Sequence, residues 1–362
     1  MKKIGIMSMQ RVINYGSFLQ AYGLKKIIES LGYKVEFVDY KFGNVIIQEK
    51  KVSFIQKVKN NKSISNFLHK KIYNKNQRKI IEQDSKKFLN LTEEKNYAYD
   101  NVEKLVIGSD EVFNCMQPYP VGYSKELFGY NYIDKMPVIS YAACFGSTTL
   151  KKLKEHKIDK EVANMLSKFK SISVRDNNSY NIVKDLINKE SNINLDPVLI
   201  SNFDKEMIDN VKYNNYIIVY AYINRLTSNE EKYIKAFAKR NNKKIISLCG
   251  YQKIADYNLT PHPFEIYSYF KHADFIITDT FHGSIFSIKN HAKFATIIRN
   301  GNNGNSNKLY DLLNRLDRTD RIVNSLDDID KLYNKDIDYT KTDKIIEEET
   351  KKSISYLKEN LI

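Results

Sequence analysis

The residues Thr280-Phe281-His282-Gly283-Ser284 stand at a switch: the apolar run 274–279 before them reads as a buried strand, and an apolar run of helical spacing follows. The first turn of a helix offers free backbone N–H groups and a partial positive charge, so it suits phosphate or carboxylate, and Gly283 would let such a ligand reach the backbone. His282, with Ser284 close by, can hydrogen-bond that anion and move a proton. The segment 294–299, Phe-Ala-Thr-Ile-Ile-Arg, ends in Arg299. In a parallel sheet this arginine would reach the same sheet edge as His282, a pairing suited to bidentate phosphate recognition. The plainer readings are a histidine that merely caps or packs at the turn and a solvated arginine before a polar loop.

Three more segments place polar groups at expected strand ends: Asn14-Tyr15-Gly16, Gly108-Ser109-Asp110 and Ser173-Val174-Arg175-Asp176. Arg175 is a second cation and Asp110 a carboxylate; their plainer readings are a surface ion pair and a helix N-cap. No Gly-x-Gly-x-x-Gly follows the first strand, and there is no P-loop and no His-Glu-x-x-His, which lowers dinucleotide, NTPase and zinc-hydrolase readings.

These residues need elements to hold them, and strand-like and helix-like patterns alternate along the chain. Strands are expected at 3–9, 34–40, 104–114, 138–146, 171–176 and 194–200, then at 216–223, 244–250, 274–279 and 294–299. Helices are expected at 17–32, 158–169, 178–188, 229–241, 264–273, after 282, and over 340–362. Short buried strands each followed by a helix predict parallel sheets with active groups at the strand C-terminal ends. The fold class is therefore α/β with two doubly wound Rossmann-like domains: 1–205, carrying a basic helical insertion at about 44–95, and 206–335, followed by a C-terminal helix over 336–362.

The 362 residues carry a formal charge of +15, and residues 41–90 alone hold thirteen Lys/Arg against three acids. A basic surface suits polyanions or anionic lipid, against the plainer reading of a solvated lysine-rich face. Nothing resembles a nucleic-acid-binding motif, so no nucleic-acid partner is expected. Three cysteines without a Cys-x-x-Cys argue against disulfides and structural zinc, and no signal segment or membrane span is read, so a cytoplasmic location is expected.

In order along residues 4–315, the segments NYGSFLQAYGLKKIIESLGYKVEFVDY, VIGSDEVFN, SYAACFG, SISVRD, LDPVLI and ADFIITDTFHGSIFSI resemble the polysaccharide pyruvyl transferase family. The resemblance implies an architecture like the B-type glycosyltransferases, with the acceptor on the N-terminal domain, the donor on the C-terminal domain and the site in the cleft between them. It implies a reaction of phosphoenolpyruvate with two hydroxyls of a sugar, giving a cyclic pyruvate ketal and phosphate, as in capsule or exopolysaccharide synthesis, with no cofactor and no metal. The family histidine falls on His282, and its arginines fall on Arg175 and Arg299. His282 is then expected to transfer protons with Asp110 in support, and Asn14, Gly16, Arg175, Gly283, Ser284 and Arg299 to bind substrate. The family often has serine before and threonine after Phe-His-Gly, where this chain has Thr280 and Ser284, and Gln and Trp where it has Glu111 and Phe113. A lipid-linked oligosaccharide acceptor would bring the basic segment to the inner face of the membrane. The rival readings are a nucleotide-sugar glycosyltransferase of the same architecture and a polyanion-binding module without turnover.

Overall fold

The computed structural model describes residues 2–47, 64–98, 101–299 and 306–362. In the first sheet, β1 (Lys3–Met7), β2 (Lys34–Phe37), β3 (Lys104–Asp110), β4 (Val138–Ala143), β5 (Ser173–Val174) and β6 (Asn192–Ile193) run parallel in the order β2-β1-β3-β4-β5-β6. Helices α1 (Tyr15–Ser30), α2 (Ile64–Phe88), α3 (Leu150–Glu155), α4 (Asp159–Ser167) and α5 (Asn177–Ile187) connect them, and the short α6 (Pro197–Ile200) leads out. The second sheet, also parallel, has the order β11-β10-β7-β8-β9, from β7 (Tyr216–Tyr220), β8 (Lys244–Ser247), β9 (Tyr257–Asn258), β10 (Phe275–Thr278) and β11 (Phe294–Thr296). Its helices are α7 (Ser228–Arg240), α8 (Glu265–His272) and α9 (Phe281–Lys289); α10 (Ser306–Arg315), α11 (Asp328–Asn334) and α12 (Thr340–Leu361) follow.

Both sheets are buried on two faces, which is why their central strands read as near-continuous apolar runs such as Tyr-Ile-Ile-Val-Tyr in β7. One expected strand is a helix. Residues 194–200 bend because Asp196 accepts a hydrogen bond from Val198 N–H (2.9 Å) and Pro197 takes the first helical position, so α6 starts where extension was expected.

The two domains share a continuous hydrophobic core rather than a loose hinge. Phe18 and Tyr22 of α1 and Phe88 of α2 meet Phe264 beside α8, with Phe88 and Phe264 ring centroids 4.9 Å apart. The basic segment does more than cover one sheet: α2 straps the second domain, Tyr73 donating to Leu248 O (2.7 Å), Gln77 to Cys249 O (3.2 Å), and Asp84 pairing with His262 (2.8 Å). Residues 48–63 of that segment lie outside the described residues. Helix α12 returns to the first sheet, where Tyr356 donates to Ser140 O (2.8 Å) and Ser353 accepts from the Leu195 N–H (3.3 Å). An apolar interface of this kind fixes the relative placement of the loops at the strand ends.

Candidate active site

In an open parallel sheet, ligands bind outside the carboxyl ends of the strands, where the winding reverses direction. The first sheet reverses between β1 and β3, and the second between β7 and β10. These two crevices face each other. Asn14, after β1, donates from Nδ2 to Tyr222 Oη, after β7, at 3.2 Å. Gly16 meets His282, after β10, so closely that a Cβ on Gly16 would lie 2.1 Å from His282 Nδ1.

Asn14 caps α1: its Oδ1 accepts from Gly16 N–H (2.7 Å) and Ser17 N–H (3.3 Å), which leaves its amide for Tyr222. Gly16 serves as the flat surface on which the imidazole rests. Gly16→Ala should therefore overpack the junction, costing about 1–3 kcal/mol of stability. Any turnover that depends on His282 should fall ~10²-fold, the scale of a 1 Å misplacement. A melting curve and a turnover measurement check this; an alanine variant with unaltered turnover would mean that His282 has no fixed post to lose.

Around this junction lies a cavity of about 180 Å³ whose lining includes Asp110, Glu111, Arg175, His282 and Lys308. Asp110 ends β3 with φ +78°, a left-handed conformation uncommon outside glycine. That turn aims its carboxylate at Ser17, whose hydroxyl donates to Oδ2 at 2.7 Å, with Arg175 Nη2 3.9 Å from Oδ1. Asp110 is thus an acceptor at the sheet edge rather than a helix cap. Arg175 is buried, donates from Nη1 to Asp196 Oδ2 (2.7 Å) and lies over the Phe281 ring at 4.2 Å. Its Nε–H has no hydrogen-bond partner among the described residues. Burial works against its charge, but the surrounding anions, Asp196 and Asp110 among them, prevail and raise its pKa.

Asp196 stands between the Arg175 guanidinium and the His282 imidazole, whose Nε2 lies 3.6 Å from the same oxygen that Arg175 grips. Burial alone would raise its pKa; the facing imidazole and then Arg175 more than offset this and hold it at about 2. At 3.6 Å the imidazole's approach is a charge contact rather than a hydrogen bond, and the buried His282 Nε2 has no hydrogen-bond partner among the described residues. Sequence reasoning gave Asp196, inside the expected strand 194–200, no part in the site; its signal was Asp-Pro opening a helix.

Lys308, on α10, was missed altogether. Its Nζ donates to Glu111 Oε1 at 2.5 Å, and its side chain is only 10% exposed. Burial opposes ionisation of Glu111, yet Lys308, followed by Asn114, lowers its pKa to about 2, and the same pairing raises that of Lys308. Helix α10 reaches this place because it docks on the first domain, Asp311 accepting from the backbone N–H of Asn177 at 2.6 Å.

Three expectations need correcting. Arg299 lines neither the 180 Å³ cavity nor the neighbouring chamber of about 390 Å³; it donates to Glu230 (2.5 Å) and Asp279 (3.2 Å). The reason is topological: β11 is an edge strand on the far side of β10 from β7, so its carboxyl end lies one strand further from the crevice between β7 and β10. Gly283 leaves no room for a ligand, since a Cβ there would lie 2.1 Å from Thr278 Oγ1, and its N–H already donates to Thr280 Oγ1 (2.9 Å). Ser284 is fully buried, its hydroxyl 3.3 Å from Thr280 O and 3.0 Å from Thr296 Oγ1, inside the domain rather than in the cleft.

With the geometry in place, the family model for polysaccharide pyruvyl transferase matches residues 14–301, about four-fifths of the chain. The chain belongs to the polysaccharide pyruvyl transferase family. The matched region contains every site residue described above except Lys308. No curated protein matches. Among solved structures, the fold is similar to that of UDP-GlcNAc 2-epimerase from Methanocaldococcus jannaschii in complex with UDP-GlcNAc and UDP (TM-score 0.54, 11% identity, 97% of this chain and 100% of that one). It is also similar to S. aureus MnaA with UDP (TM-score 0.50, 11% identity, 100% and 98%) and to the glycotransferase of kitacinnamycin (TM-score 0.52, 9% identity, 99% and 98%). At such identities the likeness is one of fold: this pyruvyl transferase family member has the two parallel-sheet domains of B-type glycosyltransferases and epimerases.

Proposed function

We propose that this protein moves the enolpyruvyl group of phosphoenolpyruvate onto two hydroxyls of a sugar, forming a pyruvate ketal and releasing phosphate. The observation that carries the reading is the meeting of Arg175, Lys308 and His282 around one small cavity at the junction of the two crevices. Two cations lining one cavity, both beside the Phe281 ring, suit a ligand with two anionic groups. The guanidinium has a buried N–H in reserve, and the ammonium gives one of its three donors to Glu111. Holding carboxylate and phosphate together orients the reacting carbon between them.

In the step so arranged, a proton adds to the methylene carbon and one sugar hydroxyl bonds to the adjacent carbon. The carbon–oxygen bond to phosphate then breaks, and the second hydroxyl closes the ketal. The two hydroxyls release two protons: one balances that gained by the methyl group, the other leaves on phosphate. His282, backed by Asp196, is the group assigned to carry the proton to carbon, and Asp110 the group that draws a proton from a hydroxyl. The acceptor is a polysaccharide or a lipid-linked oligosaccharide, and peripheral contact with anionic lipid belongs to the second case. Among the described residues no helix is long and apolar enough to cross a membrane.

A second reading rests on the 390 Å³ chamber, which shares Arg175, Phe281 and Lys308 with the smaller cavity. That volume lies within the roughly 300–1,000 Å³ usual for larger ligands, so a nucleotide-sugar donor has a place to sit. Incubation with 13C-labelled phosphoenolpyruvate and a panel of sugars separates the two. The pyruvyl reading expects label in a ketal carbon and one phosphate released per ketal. Consumption of a nucleotide sugar instead, with phosphoenolpyruvate untouched, would replace it.

A further inference from the structure

A larger groove, of about 650 Å³, runs beside the central cavity, and Val12 lines both. Val12 and Ile13 of the loop after β1, together with Leu91, give it an apolar floor, and helix α2, which adds Ile81, forms its wall. Arg11 stiffens that floor without offering free charge. Its guanidinium donates to both oxygens of Asp39 (2.6 and 2.7 Å) and to Thr92 O (2.9 Å).

The wall carries Lys75, Arg78, Lys79 and Lys86. Arg78 pairs with Glu82 (3.4 Å) and Lys86 with Glu93 (2.8 Å), whereas Lys75 and Lys79 have no acidic partner among the described residues. These two lysines lie one turn apart, so they present adjacent ammonium groups. The wall is held in place from behind by the bonds of Tyr73 and Gln77 to the second domain. An apolar surface, two cations without an acidic partner among the described residues on a braced helix, and continuity with the reaction cavity through Val12 set this groove apart from a stray surface charge.

We propose that this groove is the acceptor subsite and that Lys75 and Lys79 hold an anionic group of the acceptor, phosphate or carboxylate, remote from the two reacting hydroxyls. The proposal rests on the reading that the central cavity serves a sugar acceptor. The anion could belong to an acidic sugar or to the diphosphate of a carrier lipid, and the two sources are separable.

Binding of labelled tetragalacturonate, an acidic saccharide, and of farnesyl diphosphate, a prenyl diphosphate, is measured at fixed salt without phosphoenolpyruvate. Maltotetraose serves as the neutral control and phosphatidylglycerol vesicles as the membrane control. At least one of the two anionic ligands should bind the wild type, the stronger naming the source, and bind Lys75→Ala/Lys79→Ala at least tenfold more weakly. Lys75→Arg/Lys79→Arg should bind like wild type, and all three proteins should melt at the same temperature. The proposal is overturned if neither ligand binds, if the alanine variant binds equally well, if maltotetraose does as well, or if only vesicles bind. Because the donor is absent, failure here leaves the donor chemistry standing, and failure of donor binding leaves this result standing.

Discussion

His282→Gln should lower pyruvyl transfer ~10²–10⁴-fold, the range for loss of a positioned acid–base group, while phosphoenolpyruvate still binds. The division follows from geometry. The imidazole packs against Gly16 and faces Asp196, and the cations lining the same cavity are Arg175 and Lys308. Glutamine retains a hydrogen-bonding head of similar reach but cannot deliver a proton. Single-turnover rates and donor affinity, measured on the same preparation, check the split. Loss of donor binding equal to the loss of rate would make His282 a binding residue, and undiminished turnover would remove it from the chemistry.

Asp196→Asn should be the most damaging near-isosteric change. It strips the partner from buried Arg175, and breaking one side of a buried ion pair costs ~3–5 kcal/mol. The carboxylate also faces His282 and caps α6, so turnover should fall with stability. The pH dependence has a definite sign. The folded pKa of Asp196 is depressed to about 2, so its contribution is complete above the unfolded value and is lost as pH falls toward 2. The stability gap between wild type and variant should accordingly be widest near neutrality and shrink below about pH 4, the ordinary aspartate range. Denaturant melts across pH 3–7 test this, and a constant gap would show that the carboxylate's charge is not what stabilises the junction.

The fold was largely legible from the sequence because buried parallel strands and amphipathic helices alternate with clear spacing. The short strands also leave polar residues stranded at their ends, which is how Asp110, Arg175 and His282 could be singled out. What sequence alone could not supply was strand order. Without knowing that β11 lies outside β10, Arg299 looked like a neighbour of His282, whereas it is tied to Glu230 and Asp279. Gly283 and Ser284 misled for a related reason: a turn of helix has an inner and an outer side, and these two face inward onto Thr278, Thr280 and Thr296. Lys308 was invisible because it enters from a helix that returns to the first domain, and nothing in the surrounding sequence marks that return. Gly16 had been assigned to substrate, while its tightest contact is the imidazole of the opposite domain.

The most direct test of the central claim is a thermal-shift comparison of phosphoenolpyruvate, phosphate, pyruvate and nucleoside diphosphates on wild type and Lys308→Met at fixed salt. A ligand at about 100 times its dissociation constant adds ~2.7 kcal/mol to stability, enough to move a melting curve. Stabilisation of the wild type by phosphoenolpyruvate beyond phosphate or pyruvate, absent with nucleotides and lost in Lys308→Met, is the predicted result. Stabilisation by a nucleoside diphosphate with no response to phosphoenolpyruvate would contradict the account.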